Sequence, residues 1–308
     1  MHPYHGVDLV DEDGAVLEQL EQHFGKPIQQ NIVDSMPASG FRVRDHRVIF
    51  LGLYGKNLTM LPSCVLQLQA LETLVLSKNL FSEFPAGLEK LRSLHELNLS
   101  ENRLTSIPDS IHSVEHIQVL SLKKNSLSNL PLGMTNLKSL KEIDLSENKF
   151  VEIPPCLWKL KSLEKINLSG NKITQLPPQF QALESLNMLD LSSNQIIELP
   201  EWFGGFKHLE WLWLGGNQLQ RLPSSFGNLT HLHKLWLSSN KLENLPESFG
   251  QLIYLETLMI SENNLHAFPA SIAKLTHLHW ISLDEDKILP PYPQNIEEAL
   301  QYTAEHYD

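Results

Sequence analysis

Four histidines stand in pairs at a spacing that suits a metal, His231-x-His233 and His277-x-His279. In an extended strand residues i and i+2 point to one side, so each pair offers two imidazoles to one ion. A zinc site needs three or four ligands and outer groups to orient them. Neither pair has a cysteine or a supporting carboxylate beside it to complete such a set, and histidine recurs at the first of these places in His116 and His208. That recurrence reads as a solvated position. Asp284-Glu285-Asp286 is acidic but ends a strand, so it reads as a polar boundary. The fragment GLYGK at 52–56 is too short to cradle a phosphate, and the chain has no C-x-x-C, H-E-x-x-H or G-x-S-x-G. The expectation is no metal, no cofactor and no catalytic residues.

A different set of side chains stands out. Trp211, Trp213, Trp236, Met259 and Trp280 share two columns of a repeating pattern, with Met188 at their margin. Clustered exposed apolar surface marks interaction sites, and tryptophan is enriched at binding hot spots. Glu96, Glu142, Asp144 and Lys234 occupy the same columns and are candidate polar contacts. Gly170, Gly215 and Gly216 follow closely in the pattern, and their lack of side chains leaves room beside the rings. Trp158 and Trp202 fall elsewhere in the repeat and read as packed between neighbouring units.

The elements that must position these residues follow from a strict period. Asn79, Asn102, Asn125, Asn148, Asn171, Asn194, Asn217, Asn240 and Asn263 are each 23 residues apart, and prolines from Pro62 to Pro269 keep the same step. One unit, residues 91–113, reads LRSLHELNLSENRLTSIPDSIHS. Leu97 and Leu99 lie two apart and share the inward face of a short strand, while Glu96, Asn98 and Ser100 share the outward face. The recurring asparagine brings one acceptor and two donors, which can satisfy the backbone of a turning loop. The proline suits a return limb, whose inward residue becomes phenylalanine in Phe180, Phe203, Phe226 and Phe249. Lys78, Glu101, Lys124 and Glu147 alternate in sign on neighbouring strands and predict an ion ladder.

Residues 48–286 therefore resemble a leucine-rich-repeat array of the 23-residue intracellular kind, about 11 units long. Residues 222–244, LPSSFGNLTHLHKLWLSSNKLEN, carry the resemblance most clearly. It implies an α/β solenoid, a horseshoe with a parallel sheet on its concave face. Similar arrays occur in Ras-pathway scaffold proteins, plant intracellular proteins and prokaryotic, including archaeal, proteins. The resemblance thus implies a protein-binding scaffold or adaptor in the cytoplasm, with a small GTPase or a phosphatase among its partners. The alternative is a substrate-recognition or regulatory subunit of a separate GTPase, phosphatase or ligase.

An open solenoid needs covered ends. Residues 1–47 are expected to form an N-terminal cap. Val16, Leu17, Leu20 and Phe24 lie on one helical face, and a hairpin turns at Asp45-His46. Lys56 stands at the first asparagine place and Asp286 at the last. Residues 287–308 are expected to close the far end, with a helix over 294–306.

A net charge of −12 argues against nucleic acid or an anionic membrane as partner. No apolar run is long enough to span a bilayer. The start of the chain lacks the features of a signal peptide, and some 50 residues before the array and 20 after it leave little for a catalytic domain. Cys64 and Cys156 lie four repeats apart, roughly 20 Å along the stack, so both should be free thiols of a reducing compartment.

Overall fold

The structure is a computed structural model that describes residues 1–30, 39–284, 287–288 and 290–306. Its contacts divide the chain into two compact units, residues 1–148 and 149–308.

The first unit opens with a hairpin of β1 (His2–Tyr4) and β2 (Val7–Leu9). Its two-residue turn places His5 and Gly6 at φ 47° and 86°, the primed geometry that matches strand twist. Helix α1 (Asp11–Phe24) follows and buries Val16, Leu17 and Leu20. The carboxylate of Asp13 is fully buried, and its Oδ2 accepts the Val48 amide at 2.7 Å and Arg47 Nε at 3.2 Å. This ties α1 to the sheet. The His2 ring lies where a Cβ on Gly14 would be, 2.2 Å from its Cδ2, so only glycine lets the hairpin approach the helix.

The sheet of this unit begins with β3 (Ser39–Arg44), antiparallel to β4 (Arg47–Leu53). Parallel strands β5 (Thr73–Val75), β6 (Glu96–Asn98), β7 (Val119–Ser121) and β8 (Glu142–Asp144) continue it. Leu51, Leu74, Leu97, Leu120 and Ile143 are in register and buried. The hairpin predicted around Asp45-His46 and the helical face of 16–24 are therefore present. The β1–β2 hairpin was not anticipated, although His5-Gly6 between Tyr4 and Val7 is a turn signal.

The second unit stacks parallel strands β9 (Lys165–Asn167), β10 (Met188–Asp190), β11 (Trp211–Trp213), β12 (Lys234–Trp236), β13 (Thr257–Met259) and β14 (Trp280–Ser282). Every neighbouring pair is in register. Helix α2 (Gln294–His306) then packs against β14 and the last 3-10 turn, as predicted for 294–306.

Strands are short because the chain turns at a fixed place. The residue before each ladder asparagine is left-handed, whether Lys78, Glu101, Lys124, Glu147, Ser193, Ser239 or Glu262, at φ 53–58°. Gly170 and Gly216 hold the same place at φ 65° and 67°. These two glycines thus have a backbone reason to be there, beyond making room for neighbouring rings. The asparagine then closes the turn. Asn217 Nδ2 donates to the carbonyls of Leu191 at 2.9 Å and Leu214 at 3.0 Å, while its Oδ1 accepts the Ile196 amide at 3.0 Å. Each such amide stitches two repeats together.

The ends depart from this rule. At Lys56 the backbone N–H donates to Asn79 Oδ1, and the ammonium lies 5.4 Å over the Phe24 ring of α1. Asp286 lies outside the described residues. Asp284 caps the last turn instead, accepting the amides of Glu262 at 2.9 Å and Asn263 at 3.2 Å.

On the return limb, each 3-10 turn follows a proline and points one apolar residue inward. The rings of Phe203, Phe226 and Phe249 are parallel within 2°, with centroids 6.4 and 6.2 Å apart. Phe180 meets Phe206 edge-on at 5.9 Å. Parallel rings in successive repeats measure the repeat step on that side. The step between strands is about 4.8 Å. The longer outer step bends this unit so that its sheet lies on the inside.

The charge alternation is only partly an ion ladder. Lys124 pairs with Glu101 at 3.3 Å, but Glu147 pairs with Lys123 at 3.1 Å. Lys78 lies 5.3 Å over the Tyr54 ring.

Candidate functional site

Four outward side chains of the sheet share a local role. In β6, Asn98 Oδ1 accepts the Ser100 amide at 2.9 Å and its hydroxyl at 2.6 Å. Asp144 does the same with Ser146, Asn167 with Ser169 and Asp190 with Ser192. In these four strands the side chain at this column anchors the start of the turn, while Gly52 and Val75 hold the column in β4 and β5 without an acceptor. Trp213, Trp236 and Met259 occupy the same column in β11, β12 and β13 and cannot accept those bonds.

The rings form a defined surface. Trp213 and Trp236 stack at 4.7 Å with planes 15° apart, and Trp211 stands edge-on to Trp213 at 6.3 Å and 81°. Lys234 places its ammonium 5.6 Å over the Trp211 ring. Met259 is the register neighbour of Trp236, and Met188 that of Trp211. Trp211 is 38% exposed and counts among the exposed large apolar residues, while Trp213, Trp236, Met259 and Met188 are half-buried. The intervening Leu212, Leu235 and Leu258 are completely buried, so the core does not draw on the tryptophans. Trp280 lies on β14, the strand next to that of Met259, and its ring meets Tyr302 of α2 at 6.1 Å.

The remaining residues singled out in the sequence lie elsewhere. Glu96, Glu142 and Asp144 belong to the first unit, where Glu96 accepts the Thr73 hydroxyl at 3.1 Å and Asp144 anchors its own turn. Trp158 and Trp202 are half-buried on the return limb, and Trp202 packs on Phe203 and Phe206.

A column of rings at the entry to the strands was not anticipated. His208 meets His231 at 6.4 Å, and Tyr254 lies between His233 at 6.3 Å and His277 at 5.8 Å. Residues 208, 231, 254 and 277 keep the 23-residue step, so the period carried this signal. His233 Nδ1–H donates to the His231 carbonyl and His277 Nδ1–H to that of Ile253. Among the described residues no group of three or more histidine, cysteine or acidic side chains converges as a metal site.

Both thiols are free and buried. Burial pushes the Cys156 thiol up to about 11 and raises that of Cys64. A shallow depression of about 660 Å³ on the return limb of the first unit, lined by Phe84, Ala86, Glu89, Ser110 and Val114, gathers no reactive set. No helix among the described residues is long and apolar enough to cross a membrane.

With this geometry in hand, the comparisons with known proteins are decisive for the family. Six overlapping matches to the leucine rich repeat model run from residue 69 to residue 242, and a leucine-rich repeat region model matches 224–301. The chain is a leucine-rich-repeat protein. Among solved structures, this leucine-rich-repeat chain is similar to a leucine-rich-repeat protein of Leptospira interrogans, at 30% identity and a TM-score of 0.67 over 82% of this chain and 76% of that one. A TDR receptor aligns at 29% identity and a TM-score of 0.72, over 82% of this chain and 45% of the receptor. The plant peptide hormone receptor RGFR1, in complex with RGF2, aligns at 28% identity and a TM-score of 0.63, over 78% of this chain and 39% of the receptor. The chain thus spans less than half of either receptor. No curated protein sequence matches it significantly.

Proposed function

We propose that the protein is a non-catalytic interaction module, a scaffold or adaptor, that holds a protein partner on the open face of its second unit. Trp211, Trp213, Trp236 and Met259 anchor the partner, with Met188 and Trp280 at the margins and Lys234 as a polar contact. Glu96 and Glu142 offer further polar contacts in the first unit. The observation that carries this reading is the replacement of turn-anchoring side chains by stacked indoles at Trp213 and Trp236. A sheet whose core is already filled by leucine gains no core packing from rings on its other face. Such rings are the side chains most enriched at binding hot spots. The RGFR1 structure, which holds RGF2, gives a precedent for a ligand on this kind of array. The free buried thiols support a reducing compartment, and hence the cytoplasm.

Affinity capture from an extract of the source cells tests the reading. The intact chain and Trp213→Ala/Trp236→Ala are compared after both are shown to be folded. A protein retained by the first and lost by the second is the expected result. Equal retention by both removes the indoles from the binding site.

A further inference from the structure

We infer that the first unit carries an anion site where its cap meets its sheet, and that Lys26 and Lys56 together receive there the phosphate group of a phosphate monoester. The site is independent of the docking surface proposed above.

The two lysines arrive from different elements. Lys26 follows Gly25, whose left-handed backbone at φ 66° ends α1. Lys56 follows β4, at the place that asparagine holds in the later repeats. The turn needs only its main chain, since the Lys56 N–H donates to Asn79 Oδ1 at 2.9 Å and any residue but proline could do so. The turn therefore does not account for an ammonium at this position. The Phe24 ring, 5.4 Å from that ammonium, holds it on the α1 side.

Both lysines line one cavity of about 240 Å³, together with Gln29, Gly40 and Gly52. Gly40 and Gly52 are direct partners in the antiparallel pair of β3 and β4, so two side chains are missing from one face of the sheet at the same place. The wall they leave is bare backbone, which a ligand can approach closely. The volume lies below the range of pockets that enclose a whole drug-sized ligand. It suits a charged group whose parent molecule extends outside.

The positive charge at this place is uncompensated. None of the described residues lining the cavity is acidic. Neither ammonium makes an ion pair among the described residues, although the chain has 36 acidic residues against 24 lysines and arginines. Burial, and then repulsion from Lys26, hold the Lys56 ammonium below the ordinary lysine value. Two like charges beside one cavity oppose each other, and an anion between them relieves that opposition. A phosphate monoester carries about −1.5 to −2 charges at neutral pH, which matches two ammoniums, whereas a carboxylate matches one.

Titration of the isotope-labelled chain with inorganic phosphate at constant ionic strength, followed by nuclear magnetic resonance at the backbone amides, tests this. The expected result is saturable shifts centred on Gly40, Gly52 and Lys56. Lys26→Gln and Lys56→Gln should each weaken binding about tenfold. Lys90→Gln, which removes an exposed lysine elsewhere in the first unit, should leave it unchanged. O-Phosphoserine and a phosphoserine hexapeptide form two further arms. Equal affinity for all three probes supports a site for the phosphate group itself, and tighter binding of the hexapeptide supports a site for phosphorylated protein segments. Shifts that grow linearly with phosphate, shifts centred elsewhere, or an affinity that Lys26→Gln leaves intact overturn the inference. Should Lys56→Gln fail to fold, the intact chain and Lys26→Gln still decide it.

Discussion

Trp213 and Trp236 lie face to face at 4.7 Å on adjacent strands, with fully buried Leu212 and Leu235 beside them in the chain on the other side of the sheet. The two faces of one three-residue strand thus serve different ends, and substitutions should separate them. Leu212→Ala empties a filled core position and should cost roughly 2–5 kcal/mol. Trp213→Ala loses a half-exposed ring contact and should cost roughly 0.5–1.5 kcal/mol. Chemical denaturation of the two variants measures both. Equal losses would make the tryptophan a structural residue.

The asparagine ladder should be costly to break singly. In Asn217→Ala the Ile196 amide and the Leu191 and Leu214 carbonyls lose their partner in a buried place. Each orphaned group costs roughly 1–3 kcal/mol, so this variant should lose more stability than Trp213→Ala. Hydrogen exchange should locate the loss at the amide of Ile196.

Burial holds the Cys156 thiol at about 11, so it is almost entirely protonated near neutral pH. Because the thiolate is the nucleophile, the native protein should resist alkylation at Cys156 at pH 8, and unfolding should release it. The sign follows for stability. Folding favours the neutral thiol, so this contribution is intact below the ordinary thiol value of 9.0 and falls as pH rises from there toward 11. Mass spectrometry after timed alkylation checks the reactivity.

Acid should loosen the end of the array at Asp284. Burial works against its charge, but the Glu262 and Asn263 amides and Lys287 outweigh this and hold its carboxyl below the ordinary value. A depressed folded pKa stabilises above the unfolded value of 3.8, and the contribution disappears as pH falls through the lower folded value. Amide exchange at Glu262 and Asn263 should accelerate in that window. Asp284→Asn should remove most of the pH dependence.

Much of this architecture was legible because a repeat prints its geometry many times. One 23-residue step gives strand, asparagine turn, proline and inward return-limb residue, the N-terminal helix follows from apolar residues at helical spacing, and the C-terminal helix from the need to close the open end of the array. The turn anchor at Asn98, Asp144, Asn167 and Asp190 was harder to see. Asparagine, aspartate and the following serine look like ordinary solvated residues until the bond to Ser100 or its equivalents is drawn. The same bond explains why a serine stands two residues after both Asn98 and Asn167. The ion ladder was misjudged in part because long side chains choose among partners by reach. Glu147 finds Lys123, and Lys78 finds the Tyr54 ring. The β1–β2 hairpin escaped because its only signal is one His-Gly turn in a segment outside the repeat.

The most direct test is the affinity of the captured partner, measured by calorimetry against four forms of the chain: intact, Trp213→Ala/Trp236→Ala, Trp158→Ala and Trp202→Ala. Hot-spot indoles contribute roughly 2 kcal/mol or more each. Loss of one such ring corresponds to about 30-fold, so the open-face variant, which loses two, should bind more weakly still, and the two return-limb variants should bind like the intact chain. Loss of affinity in Trp158→Ala or Trp202→Ala, with Trp213→Ala/Trp236→Ala unchanged, would contradict an open-face docking surface and place the partner on the other side of the repeats.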